Sequence, residues 1–285
     1  MVKYIRFSSK WWGGRAVECA GFENLYGRNA IASSNLAPTA MFYIKNRFKN
    51  ISLIYPKMSF VKKMYLVIVG RINFFVSRLK TLLYLFFGFF PYKTKINGKK
   101  ILDRSMKKNG AVFISIHSGS YPLAGKIFHD NYSGHKIITP FYKFNKYSIY
   151  EIYKKLFKKI NINLVQLGGA MKEIDPVLTN GGSVCLFLDA ALPVKNRVIA
   201  QIFDNPVPFS TGALWLSKKY LKPIIPIFVE DKGREIILNV LPEIKIVGKN
   251  NDVTMKEIAK SIESMISITI KQWHIADNFL FQDLS

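Results

Sequence analysis

Cysteine is nearly absent from the 285-residue chain: Cys19 and Cys185 are the only two, so no disulfide framework holds the fold together. Cys185 lies inside an apolar run and reads as a small buried hydrophobe. No cysteine–histidine spacing matches zinc ligation, and no metal is predicted. Acidic residues are scarce as well, 18 Asp and Glu against 42 Lys and Arg. The scarcity is local. Residues 41–110 hold 16 bases and a single acid, Asp103, while residues 111–285 hold 21 bases and 15 acids. Also missing is a long apolar run. Residues 65–92 would nearly span a bilayer, but Arg71, Arg78 and Lys80 interrupt them, and the uninterrupted part, 81–90, is too short. No small-residue cleavage site follows it, which excludes a cleavable signal peptide. There is neither an internal repeat nor a low-complexity tract.

What remains is a chain long enough for one large domain with a real core, rich in Phe (22) and Tyr (14). Basic charge confined to 41–110 predicts an anionic partner surface, either nucleic acid or membrane. The Phe-rich run at 81–90 favours the membrane, because phosphate backbones do not need such a run. The same run is also compatible with a place in the core. At 100° per residue Arg71 and Arg78 share one side and Asn73 and Lys80 the opposite one, so 65–92 is not a cleanly amphipathic helix. Residues 41–92 are therefore expected to be a basic helical anchor lying in the membrane interface, a single N-terminal spanning anchor whose charges snorkel being the alternative. Residues 1–40 share neither this character nor any sustained period and read as a disordered leader. One codon choice for residues 33–40 contains GTTCGAATC, which resembles the T-arm of a transfer RNA gene. On that reading 1–40 is translated non-coding sequence, and Met41, Met58 or Met64 is the true start.

The rest of the chain is organised around residues 111–122. Residues 111–116 form a short apolar run bounded by Asn109-Gly110, and the run stops at His117-Ser118-Gly119-Ser120. Leu123, Ala124, Ile127 and Phe128 follow at helical spacing. Strand, polar turn, helix is how an α/β sheet presents chemistry at the carboxyl ends of its strands. His117 stands where a general base would stand, and a turn histidine satisfied by a hydrogen bond is the plainer alternative. After it, strands are expected at 136–139, 163–167, 184–188, 198–203, 224–229 and 235–241. Helices are expected at 99–108, 146–159, 170–179, 211–220 and 255–272. This rhythm predicts an α/β domain over 93–285, with a mostly parallel or mixed central sheet flanked by helices.

Four features come in order: His117 after a strand, the Gly168-Gly169 turn, Asp189 after a strand, and Lys222-Pro223-Ile224-Ile225-Pro226. With Phe203-Asp204-Asn205-Pro206 followed by Thr211-Gly212, and Gln272-Trp273 near the end, the chain resembles the lysophospholipid acyltransferase superfamily, in its late lipid A biosynthesis branch, over roughly residues 65–280. The resemblance implies transfer of a fatty acyl chain from a thioester to a hydroxyl of a glycolipid or related lipid, with His117 as general base. The implied donor is acyl carrier protein or coenzyme A, with no bound cofactor and no nucleic acid partner. The implied location is the cytoplasmic face of a bacterial inner membrane. Ser118, Gly119 and Ser120 would hold an oxyanion or phosphate. Thr211 and Gly212, which open a helix within the pattern, are implied as substrate-binding residues, and Arg197 could meet phosphate or a carrier-protein acid, a solvated loop being the alternative.

The family motif has Asp or Glu five residues after the histidine, and here that position is Pro122. The second Trp and the Arg of the terminal phrase are missing too. A catalytically inactive lipid- or acyl-carrier-binding homologue is therefore the alternative function. Asp189 is the carboxylate best placed to replace the missing acid. It follows an apolar run as His117 does, and parallel neighbouring strands would put both in one crevice. Capping of its own loop is the competing role for Asp189.

Overall fold

Side chains of the strand that precedes His117 alternate between two apolar layers, and this alternation sets the architecture. Val112, Ile114 and Ile116 join one core cluster, and Ala111 and Phe113 join another. A strand buried on both faces belongs at the centre of a sheet covered by helices on either side. The computed structural model describes residues 36–141, 147–160, 162–189, 197–246 and 251–274, which fall within one compact unit, Asn35–Ser285.

Two helices, α1 (Leu36–Ile54) and α2 (Phe60–Phe87), lead into β1 (Lys93–Asn97), α3 (Lys99–Lys108) and β2 (Val112–Ser115). A 3₁₀ turn (Tyr121–Leu123) and α4 (Ala124–Asn131) follow, then β3 (Ile137–Phe141), α5 (Tyr147–Lys158), β4 (Ile162–Gln166), α6 (Met171–Thr179) and β5 (Ser183–Phe187). The chain continues with β6 (Arg197–Ile202), β7 (Asn205–Ser210), α7 (Gly212–Tyr220), β8 (Ile224–Lys232), β9 (Glu235–Val240) and α8 (Asn251–Thr269). Seven strands form one sheet in the order β1-β9-β8-β2-β5-β3-β4, and β6 and β7 form a separate antiparallel ribbon. Every neighbouring pair in the large sheet is parallel except β8–β9. The expected α/β fold with a mostly parallel sheet is what the chain adopts.

Two strands were not expected. β1 is Lys-Thr-Lys-Ile-Asn, mostly exposed, and its pairing with β9 rather than its own apolarity makes it a strand. β7 contains Pro206 and Pro208, which an antiparallel ribbon edge tolerates and a central strand would not. α1 runs through the expected boundary at residue 40, while residues 1–35, and with them most of the expected leader, lie outside the described residues.

α2 is a single helix of 28 residues, about 42 Å long at 1.5 Å per residue. Its exposed face is apolar, while Leu66, Val67 and Leu85 are buried beside polar residues. Ser77, Lys80 and Thr81 are buried, while Val61, Tyr65, Ile68, Ile72, Phe75, Leu79, Leu82 and Phe86 are exposed. These apolar residues recur every three or four positions and so form one stripe. Lys80, which read from sequence as a charge breaking an apolar run, turns inward because Asp231 of β8 receives its ammonium at 2.9 Å. Gly70 lets the helix cross Arg47 closely: a Cβ there would lie 2.0 Å from the guanidinium. No helix among the described residues is long and apolar enough to cross a membrane.

Candidate active site

His117 and Asp189 meet because β2 and β5 are parallel neighbours in a fixed register. Val112 pairs with Val184 and Ser115 with Phe187. Carried two residues past the strand ends, the same register sets His117 beside Asp189. The ladder persists that far, since Leu188 N–H still donates to the Ser115 carbonyl at 3.0 Å. The two side chains close on each other, His117 Nδ1 to Asp189 Oδ1, at 2.7 Å.

Asp189 is fully buried, and a buried carboxylate is tolerable only when its lone pairs are matched by donors. Its Oδ2 accepts the His117 backbone N–H at 2.8 Å and the Trp273 indole Nε1–H at 2.9 Å. Since an ionised carboxylate only accepts, the third partner, His117 Nδ1, must carry the proton, which leaves the Nε2 lone pair free. The imidazole packs against Phe187 with ring centroids 4.3 Å apart and meets Tyr121 edge-on at 4.9 Å. It keeps 21 % of its side-chain surface exposed, so the ring is held on two sides and reachable from a third.

Trp273 carries no chemistry of its own but reaches Asp189 from the far end of the chain, just past α8. It is fully buried, and its carbonyl accepts from Arg47 Nη2 at 2.9 Å. Sequence reasoning placed Trp273 in a family phrase without a role. Its separation of 84 residues from Asp189 leaves no local signal of the bond.

The polar turn after His117 is used internally. Ser118 N–H donates to the Ile116 carbonyl, Gly119 N–H to the Gln272 carbonyl at 3.1 Å, and Ser120 N–H to Asp231 Oδ1 at 3.0 Å. Ser118 Oγ donates to the Val229 carbonyl and Ser120 Oγ to Asp231 Oδ2. Both serines are fully buried. Gly119 has φ +51°, and a Cβ there would lie 3.0 Å from the Val229 carbonyl and from Asp231 Oδ1, so glycine is required twice over. This turn is thus clamped to β8 by Asp231, the carboxylate that also pairs with Lys80 on α2.

The other residues singled out from sequence lie elsewhere. Arg197 opens β6, exposed, opposite Ser210 in the ribbon. Thr211 is the residue before α7, and Gly212, its first residue, donates its N–H to Ser210 Oγ. Pro122 is buried in the 3₁₀ turn, where its missing N–H costs nothing. His129 is exposed, whereas His135 is half-buried, its Nε2 2.8 Å from Ser183 Oγ. Burial, and after it the Lys222 charge, lowers its pKa. His274 is only 5 % exposed, and both its ring nitrogens lack a hydrogen-bond partner among the described residues. Burial first, then the charges of Arg78, His117 and Arg47, push its pKa down to about 3.

A family model described as bacterial lipid A biosynthesis acyltransferase matches residues 36–279, a span that includes His117, Asp189 and Trp273. No curated protein sequence matches the chain.

Proposed function

The chain belongs to the bacterial lipid A biosynthesis acyltransferase family, and from that premise we propose that it transfers an acyl group from a thioester to a lipid hydroxyl with His117 as general base and Asp189 as its partner. The observation that carries this reading is the buried carboxylate 2.7 Å from His117 Nδ1, already saturated by two other N–H donors. A carboxylate so held fixes the tautomer of the imidazole and stabilises the imidazolium. That is the task of the family's acid, whose position is occupied here by Pro122.

The chemistry runs in balance. His117 Nε2 takes the proton of the acceptor hydroxyl as its oxygen bonds to the thioester carbonyl carbon. The C–S bond then breaks, and the imidazolium returns the proton to the leaving thiolate, giving an ester and a free thiol. Phe187 and Tyr121 hold the imidazole on two sides. The N–H groups of residues 118–120 are engaged within the protein, so they would serve an oxyanion only by giving up those bonds.

The donor in this reading is acyl carrier protein or coenzyme A carrying the acyl chain, without a bound cofactor, and the acceptor is a lipid A-like glycolipid. The protein acts from a membrane surface. The exposed stripe of α2 would lie among the acyl chains, with the surrounding Lys and Arg at anionic headgroups. The expected inner-membrane, cytoplasmic-face placement supplies both the lipid acceptor and the soluble thioester, and nucleic acid has no part in it. The test supplies purified protein with an acyl thioester and a bacterial inner-membrane lipid extract. Thiol release matched by ester formation in wild type, and neither in His117→Ala, is the expected result. Equal thiol release by both proteins would remove His117 from the reaction.

A further inference from the structure

Arg78 is a charged group near the site that the chemistry above leaves without a task. It lies on α2, half-buried, between the exposed Phe75 and Leu82. Its guanidinium carbon sits 5.2 Å from the Phe74 ring centroid and 5.9 Å from that of Tyr121. Tyr121 in turn packs edge-on against the His117 imidazole. A single ring therefore separates the guanidinium from the proposed base. Among the described residues no carboxylate pairs with Arg78. The two carboxylates of this region are committed, Asp189 to three N–H groups and Asp231 to Lys80 and Ser120.

His274 supplies an independent observation. Its buried ring, without a partner at either nitrogen among the described residues, lies 5.2 Å from Phe74 and 5.8 Å from Tyr121, centroid to centroid. These are the same two rings that hold Arg78. A buried imidazole with no partner is costly unless something arrives to satisfy it. Burial first, and then the Arg78 charge, keep the ring neutral, with one N–H to donate. A guanidinium fork and a neutral N–H donor around the same two rings, with no acid among the described residues to neutralise them, match the oxygens of a phosphate.

We propose that Arg78 and His274 form an anion subsite one ring away from His117, which binds a phosphate ester of one of the two substrates. The phosphate belongs either to the headgroup of the lipid acceptor or to the phosphopantetheine arm of the thioester donor. This inference rests on the acyl-transfer reading for its biological sense, but binding can be measured without turnover. The full chain in detergent is titrated calorimetrically with dihexanoyl phosphatidic acid and with pantetheine 4′-phosphate, each beside its phosphate-free counterpart, dihexanoylglycerol or pantetheine.

Arg78→Gln is expected to bind one or both phosphate probes at least tenfold more weakly, with the phosphate-free probes unchanged. Arg78→Lys should fall between wild type and Arg78→Gln. The probe that loses affinity identifies which substrate carries the phosphate. His117→Ala should retain wild-type phosphate affinity, so loss of the catalytic reading and loss of this one are distinguishable. If Arg78→Gln does not fold, His274→Phe is the second variant, with the same expected loss. The proposal is overturned if wild type binds neither phosphate probe better than its counterpart, or if the folded variants bind both as tightly as wild type.

Discussion

Replacing Asp189 by Asn tests how the site controls a proton. The carboxylate accepts from three N–H groups: Nδ1 of His117 on one oxygen, and the His117 backbone and Trp273 indole on the other. An amide has one acceptor oxygen and one NH₂. Placed toward the two fixed donors, the oxygen keeps both of those bonds. The NH₂ then faces His117 Nδ1, which must give up its proton and accept. The proton moves to Nε2, where the base needs a lone pair. The reversed orientation leaves two buried donors facing an NH₂, at about 1–3 kcal/mol each, and is not competitive. Activity should therefore fall by about three to four orders of magnitude, the scale of a catalytic histidine held in the wrong tautomer. Stability should fall by only about 1.5–3 kcal/mol, one charge-assisted bond. The assay is initial-rate thiol release across pH 5–9, together with denaturant unfolding of the same preparations. An Asn variant that keeps more than a tenth of wild-type activity with an unchanged pH profile would refute the reasoning.

Three further outcomes follow from other parts of the molecule. His274 has its pKa pushed down to about 3 in the folded protein, against 6.5 for a free imidazole. Below pH 6.5 the unfolded chain binds a proton that the folded chain refuses, so stability is lost as pH falls from 6.5 toward 3. By pH 5 the loss should reach about 2 kcal/mol relative to His274→Phe, and denaturant titrations of the two proteins at pH 7 and pH 5 measure it. Leu221 follows the last residue of α7 with φ +51°, and it is 87 % exposed. Leu221→Gly should raise stability by about 0.5–1 kcal/mol, because left-handed strain is relieved and little burial is lost. Phe75→Ser with Leu79→Ser on the α2 stripe should weaken sedimentation with anionic vesicles by tenfold or more, at about 1.5–3 kcal/mol for each side chain withdrawn from lipid, with unfolding unchanged.

The pairing of His117 with Asp189 was legible as far as two apolar runs ending in polar residues can make it. What the sequence does not carry is strand order. Nothing local says that β5 lies beside β2 rather than β3 or β4, and the 2.7 Å contact depends on that adjacency. Trp273 and Asp231 were not legible for the same reason, since each acts on the His117 region from a distant element. α2 misled in a different way. Its basic residues looked like breaks in an apolar helix, but Asp231 draws Lys80 inward, and an apolar stripe remains outside. Burial of a charge depends on its partner, and the partner lies 151 residues away. β1 escaped because an exposed edge strand has no alternation to read.

The central claim, acyl transfer by His117 held by Asp189, is tested most directly by mass spectrometry of lipids from a bacterial host expressing wild type, His117→Ala or Asp189→Asn. A lipid heavier by one acyl chain in the wild-type host, absent with His117→Ala and at most traces with Asp189→Asn, is the predicted result. The same acylated lipid at wild-type abundance with His117→Ala, expressed and folded as wild type, would contradict it.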